Sequence, residues 1–511
     1  MPPGSGSDRT ASTTAEPATA DPATADPEPP ATVRVRRRLP VLALVTYGTA
    51  QLGLIFWWIA YRPGLVSPDS LNYIWQSTTG NWNTHHPISY TALVWLSLQL
   101  TGGLGALTGA QTVAMAAGLA YAATGLRRLG GPAWLWATAA VVVAVLPPTG
   151  TFVVCVWKDV AFTISCVFLL GTLARVVARH RAGADRPDSG ADRQTGGARA
   201  FSRGLFVAML VELALVCLFR QNGFAAVLIT IPLCALLLRG AVRRVVVAGA
   251  TAVAIALLTN WLLLPALGVR HSSSIVAFES FFADLAVGYG RDPGSFPAAD
   301  TAAMAKVAPL ELWRTSGDCR AVDPTVWNPS FDRQAAYDQR NQLLAAWTHL
   351  ATRSPGTVVG MRLCRGAIAW QPISTGRLSR NPGWRAVRTY VARDPAFARS
   401  PFAATVRPRP LNRQVRSVAD RLNKATAAPE WLLWRGATWA YLSYLVLGLA
   451  AWRRRERALL ALGTLSLGVQ VSTLVLNAAQ AARYMAVPMV IGILLLPLLA
   501  ATRRRTTAPE P

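Results

Sequence analysis

SPDSLNYIWQSTTGNWNTHHPISYTALVWLSLQLT, residues 67–101, is the stretch on which the architecture of this chain turns. Its first half gathers Asp69, His85 and His86 with several aromatics directly after a long apolar run at about Leu39–Tyr61. Its second half, Ile88–Thr101, is apolar but only about 14 residues long, short of the roughly 17–25 that cross a ~30 Å hydrocarbon core as a helix. Whether that half crosses decides on which side of a membrane everything after it lies.

The surrounding sequence is that of an integral membrane protein. Its 511 residues are 52% hydrophobic and 15% charged, with a mean hydropathy of +0.31. Backbone in lipid must satisfy its own hydrogen bonds, and no run alternates as a barrel strand would, so the fold class is all-α. After Ile88–Thr101 the apolar runs are Leu104–Leu126, Ala133–Leu146, Phe152–Val177, Leu205–Phe219, Phe224–Leu238 and Val245–Leu267, then Leu432–Trp452, Leu459–Leu476 and Tyr484–Ala500. If all eight runs before residue 268 crossed, Arg127-Arg128 and the Arg-rich 178–203 linker would lie outside, against the positive-inside tendency. Treating Ile88–Thr101 as interfacial or re-entrant, with Tyr90 and Trp95 at headgroup level, places every basic cluster inside. About ten spans are therefore expected, seven and then three, in a multi-pass protein of the plasma membrane.

The expected domains follow. Residues 1–38 form a disordered cytoplasmic tail rich in Pro, Ala, Thr and Asp, too poor in large apolar residues to offset chain entropy. It lacks the apolar core of a signal peptide. Residues 39–267 form the first membrane module, with an outer loop at 62–103. Residues 268–430 form an extracytoplasmic insert, mixed or mostly helical, with Phe331–Arg353 its clearest helix and turns at Asp292-Pro293, Asn328-Pro329 and Asn381-Pro382. Residues 431–502 carry the last helices, and 503–511 a cytoplasmic tail. The net charge of +26 is largely accounted for by anchoring arginines, which argues against nucleic acid as a partner. Cys155, Cys166, Cys217 and Cys234 fall in apolar runs, where they read as small buried hydrophobes. Cys319 and Cys364 share the insert, where an oxidising face favours a disulfide between them.

This topology collects polar residues at one end of the spans: Asp69, His85 and His86; Lys158 and Asp159; Arg220, Gln221 and Asn222; Arg483 and Tyr484. Ionisable groups near membrane depth usually face a cavity and mark function. Each also has a plainer reading. Asp69 can be a turn residue or the N-cap of a helix at Leu71–Thr78. Lys158-Asp159 can be a self-neutralising pair, and the two arginines can snorkel to headgroups. His85-His86 lacks a third ligand at metal spacing, so no metal site is assigned, though a divalent ion stays open. Glu212, inside a span, reads as an arginine's structural partner or a proton-coupled group.

The residues His85-His86-Pro87-Ile88-Ser89-Tyr90, Val156-Trp157-Lys158-Asp159 and Arg483-Tyr484 followed by Pro488 resemble the juxtamembrane, second acidic and late-span motifs of the GT-C superfamily of polytopic glycosyltransferases, which includes protein O-mannosyltransferases and lipid A aminoarabinose transferases. Asn83-Thr84-His85-His86-Pro87, Trp157-Lys158-Asp159 and Arg220-Gln221-Asn222-Gly223 are similar to signatures of an uncharacterised bacterial branch. The resemblance covers about 39–267 and 432–500. Many relatives have two acidic residues together in the first motif, where this chain has Asp69 alone.

The resemblance implies a GT-C-like bundle with juxtamembrane helices in the first outer loop. It also implies inverting transfer of a sugar from a polyprenyl-phosphate donor to a hydroxyl of an extracytoplasmic lipid, glycan or protein acceptor. The residue types suit that chemistry. An acceptor hydroxyl needs a base, for which Asp69 is the candidate, while Asp159, the other candidate catalytic carboxylate, could orient Lys158 or bind the acceptor. A departing lipid phosphate needs cations, for which Lys158, Arg220 and Arg483 are the candidates. His85, His86, Asn222 and Tyr484 are candidate substrate contacts, and no cofactor is expected. Two other classes stay open: a transporter or flippase of a lipid-linked anion, which Glu212 would favour, and a non-catalytic membrane scaffold.

Overall fold

The computed structural model describes residues 31–184, 201–272, 275–373, 378–380, 399, 403, 406–407 and 409–501. The chain falls into two units, Met1–Pro40 and Val41–Pro511. In the first, residues 31–40 open helix α1, Ala31–Tyr61. Residues 31–38 of the segment expected to be disordered are thus helical, and 1–30 lie outside the described residues, as do most of the 178–203 linker, the Asn381-Pro382 turn and Arg503–Arg505.

In the second unit the long apolar runs are all helical. They form α4 (Gly105–Leu126), α5 (Ala133–Val145), α7 (Lys158–Ala184), α8 (Arg203–Phe219), α9 (Gly223–Leu237) and α10 (Val242–Leu258). The described residues contain isolated bridges but no strand. Among the described residues five helices are long and apolar enough to span a membrane, or six if a bent pair counts as one span. The protein is therefore an all-α, multi-pass membrane protein, but this count is below the ten spans expected. The shortfall has local reasons: α4 is long enough but rich in Gly, Ala and Thr, and α9 has only 15 residues and contains Pro232.

Two differences from the sequence reading shape the site. The run 152–177 is not one helix: α6 (Pro147–Val153) follows α5 at a 65° bend, 154–157 leave the helix, and α7 starts at Lys158. The cause is Pro147, which pushes Leu146 out of the helical region, to φ −59, ψ 130. The extended 154–157 segment then pairs with the first loop: Leu65 N–H donates to the Val154 carbonyl and Val156 N–H to the Leu65 carbonyl, each at 2.9 Å. Secondly, α2 covers Pro68–Thr79, with Ser67 rather than Asp69 at its N-cap. Proline suits the first helical position, and Asp69 in the first turn sits favourably at the positive end of the helix.

The Ile88–Thr101 run forms α3, a short apolar helix. It packs with α2 through Tyr73, Tyr90 and Val94. The insert has a core of its own around Phe282, Trp313, Phe331, Leu343 and Met361. Its helices include α11 (Glu279–Arg291), α12 (Asp323–Val326), α13 (Arg340–Arg353) and α14 (Pro355–Arg365). The single helix expected over 331–353 is broken at Gln339, between Arg333–Asp338 and α13. Asp284, fully buried, receives Arg362 at 2.7 Å and Arg365 at 2.8 Å, which neutralises a charge that could not otherwise be buried. Cys319 and Cys364 are joined by a disulfide, with a Cα–Cα distance of 5.7 Å. The last long helices are α15 (Gly436–Arg454), α16 (Thr464–Leu476) and α17 (Ala486–Leu495).

Candidate active site

The cluster forms where the first turn of α2, the start of α7, the α8–α9 turn and the approach to α17 converge. Ser67 and Ser70 fix the first of these. Ser67 N–H donates to Ser70 Oγ at 2.9 Å, Ser70 Oγ–H donates to the Val156 carbonyl at 2.8 Å, and Trp157 Nε1–H donates to Ser67 Oγ at 2.7 Å. The Asp69 turn is thereby tied to the segment just before Lys158-Asp159.

Across this junction Arg483 Nη1 lies 2.8 Å from Asp69 Oδ2, and Arg483 Nε lies 3.9 Å from Asp159 Oδ2. Arg220 Nε approaches Asp159 Oδ1 at 3.4 Å. Asp159 is 1% exposed, so two arginines from distant parts of the chain share one buried carboxylate. Aromatic faces hold the guanidiniums: Arg483 stands over Trp157 at 4.7 Å and Tyr484 at 5.2 Å, and Arg220 over Tyr484 at 5.0 Å and Phe162 at 5.2 Å. Lys158 Nζ donates to His86 Nδ1 at 3.2 Å, which requires a neutral His86 with its proton on Nε2. His85 and His86 meet edge to face at 4.6 Å, and His86 meets Tyr73 at 4.9 Å.

The electrostatics follow from burial and charge. Burial alone pushes the Asp69 carboxyl up, but the charges of Arg483 and Lys158 outweigh it and hold it well below the carboxylate range. Burial, then Lys158, pushes His86 well below the ordinary imidazole value, and His85 is lowered for the same two reasons. The Tyr73 hydroxyl is buried without a hydrogen-bond partner among the described residues, although Tyr73 feels the charges of Asp69 and Asp159. A buried hydroxyl left this way is costly, as is common where a ligand group completes the set.

Eight of the nine residues expected at the site therefore gather: Asp69, His85, His86, Lys158, Asp159, Arg220, Arg483 and Tyr484. Asn222 is elsewhere, with Nδ2–H donating to the Leu476 carbonyl at 3.4 Å. Its neighbour Gln221 has the structural task, donating to the carbonyls of Thr84 and His85 at 3.2 and 3.1 Å. Glu212 is also apart, its Oε1 accepting from Thr172 Oγ1 at 2.9 Å. Among the described residues no three His, Cys, Asp or Glu side chains are grouped as a metal ion would need.

Sequence reasoning missed the contribution of the insert. Trp327 meets His85 edge to face at 6.1 Å. Glu279 hydrogen-bonds with Trp327 and feels Lys158 and Asp69; burial, reinforced by Asp323, pushes its carboxyl up to about 8. Asp323 is raised by burial as well. Nothing in the spacing of 279, 323 and 327 signals this. Tyr73 was findable, since it is four residues after Asp69 on the same face of α2.

No protein-family model matches the chain, and no curated protein matches it by sequence. Among solved structures, ArnT from Cupriavidus metallidurans, crystallised with undecaprenyl phosphate bound, is similar over 92% of this chain and 78% of its own, at 16% identity and a TM-score of 0.29.

Proposed function

We propose that the protein is a GT-C-type membrane glycosyltransferase that moves a sugar from a polyprenyl-phosphate-linked donor to an acceptor hydroxyl. The observation that carries this reading is the 2.8 Å contact between Asp69 and Arg483 within a cluster of three cations and two carboxylates. A candidate base thus adjoins cations suited to a phosphate leaving group. In the transfer step the acceptor oxygen bonds to the anomeric carbon as the carbon–oxygen bond to phosphate breaks. The electron pair leaves with the lipid phosphate, and the hydroxyl proton passes to Asp69. A single displacement of this kind inverts the anomeric centre.

Paired with Arg483, Asp69 is a weak base, because its carboxylate is already stabilised. An incoming phosphate competes for the same guanidinium, and phosphate suits the guanidinium fork at least as well as carboxylate. As Arg483 turns to the donor, Asp69 loses its strongest partner and becomes more basic. Lys158 and Arg220 complete the phosphate site, stabilising the charge that grows on the leaving group. Trp327 and Glu279 bring the insert up to the cluster, which supports a part for the insert in acceptor selection.

The distribution of arginines supports a plasma-membrane protein with a cytoplasmic N-terminus and an extracytoplasmic site. The disulfide in the insert fits an oxidising compartment. The test is release of radiolabelled sugar from a panel of polyprenyl-phosphate sugars by purified protein, with Asp69→Asn and Arg220→Ala alongside. Release lost in both variants supports the reading. Lipid binding without release, equal in wild type and Asp69→Asn, overturns it.

A further inference from the structure

The insert returns to the bundle through an amphipathic helix, Arg413–Ala425, capped by Asn412, whose side chain accepts from the N–H groups of Gln414 and Val415. Just before the helix, Arg409 N–H donates to the Arg62 carbonyl at 2.9 Å and Leu411 N–H to the Ile59 carbonyl at 3.1 Å, which ties its start to the end of α1. Just after it, Trp434 Nε1–H donates to Thr426 Oγ1 at 2.8 Å, which ties its end to the start of α15. Both ties lie at the end of the bundle that carries the site. Helix α1 leads into the Asp69 loop, and Gly436, the first residue of α15, packs against Met485, two residues past Arg483. A helix of 13 residues, about 20 Å long, that joins two points on one face runs along that face and not through the membrane.

Its sides differ. One packs down on the bundle, with Ala419 buried among Trp57, Ala60, Tyr61 and Val154. There Asp420 accepts from the Tyr61 hydroxyl at 2.9 Å, and Arg416 stands over the Tyr61 ring at 4.5 Å. A second side is apolar and open: Val418 and Leu422, one turn apart, are 38% and 44% exposed, and Leu411 just before the helix is 54% exposed. A third is cationic, with Arg413, Arg421 and Lys424 exposed. The helix has one carboxylate, Asp420, and Arg416 pairs with it at 2.9 Å, so the three exposed cations keep their charge.

Water leaves the apolar side uncovered, and hydrocarbon leaves the cations unsolvated. The boundary of a leaflet suits both, with Val418 and Leu422 toward acyl chains and the basic side chains reaching phosphates. Trp431, 48% exposed, follows the helix and is of the type enriched at that depth. We propose that Arg413–Ala425 is an interfacial helix, lying in the leaflet on the site's side of the membrane and binding anionic phospholipid head groups through Arg413, Arg421 and Lys424. Cations at a lipid surface favour anionic over zwitterionic head groups.

The test uses the full chain in nanodiscs with a fluorophore on Leu422→Cys or on Ser417→Cys, which is exposed on the cationic side. The four free cysteines are buried, so an added one takes the label. Bromine on lipid acyl chains should quench the label at 422, and aqueous acrylamide should not; at 417 the reverse should hold. In mixed nanodiscs, brominated phosphatidylglycerol should quench the label at 422 more than the same fraction of brominated phosphatidylcholine. That preference should fall roughly fivefold for each cation replaced in Arg421→Gln and Lys424→Gln. Acrylamide reaching both labels places the helix in water and overturns the proposal. A label at 422 shielded from both quenchers is covered by protein, a second copy or another segment of this chain, and overturns it too. Equal quenching by the two lipids in the chain with its native cations overturns the binding of anionic head groups.

Discussion

Arg483 Nη1 and Asp69 Oδ2 are 2.8 Å apart, although one residue opens the first extramembrane loop and the other precedes the last helix. The pair joins the two ends of the bundle and, on the proposed reading, gives Asp69 a partner that the donor phosphate displaces. Asp69→Asn keeps the shape but removes the proposed base. Sugar release should fall by roughly 10²–10⁴-fold, the usual worth of general base catalysis, while donor binding persists. Single-turnover rates measured beside equilibrium binding check this. A rate within a few-fold of wild type removes Asp69 from the chemistry.

Asp159 is shared between Arg220 and Arg483 in a buried position. Asp159→Asn leaves both guanidiniums without their common counter-charge, and breaking a buried pair in this way costs about 3–5 kcal/mol. Denaturant unfolding in detergent should show that loss. Asp159→Asn combined with Arg220→Gln should lose less than the sum of the single variants, because the second change removes a stranded charge.

Stability should respond to pH at both ends. His85 and His86 titrate below their ordinary 6.5. Just under that value the unfolded chain therefore binds more protons, and stability is lost as pH falls below about 6.5. Glu279 is raised from 4.5 to about 8, so its contribution is fully present below 4.5 and is lost as pH rises through 8. Thermal melts from pH 5 to 9 should show both limbs. His86→Gln should flatten the acid limb and Glu279→Gln the alkaline one.

The Cys319–Cys364 disulfide closes a loop of 45 residues within the insert. Removing it by Cys319→Ser with Cys364→Ser should destabilise the insert by about 2–4 kcal/mol through the freed unfolded chain. Hydrogen exchange should then rise across 319–364 and little in α7 or α17.

Much of this molecule was legible in the residues alone. Runs of apolar side chains select helices because nothing else satisfies the backbone in lipid, and the helices occur where those runs are. Ionisable residues beside such runs stand out because burying them is costly, which is why Asp69, Lys158-Asp159, Arg220 and Arg483 could be named together. The pairing of Cys319 with Cys364 followed from their sharing the insert.

Only the tertiary structure decided who faces whom. Arg483 could have met headgroups, but the packing of the α17 approach against the α2 turn gives it Asp69 and Asp159. Asn222, next to Gln221 in the same motif, is turned to a carbonyl of α16 by the bend of the α8–α9 turn. Trp327 and Glu279 reach the site through the folding of an insert whose local pattern carries no trace of that destination. Hydrophobic patterning reports a residue's own burial. It does not report the partner brought from hundreds of residues away, because that partner is chosen by the packing of whole helices.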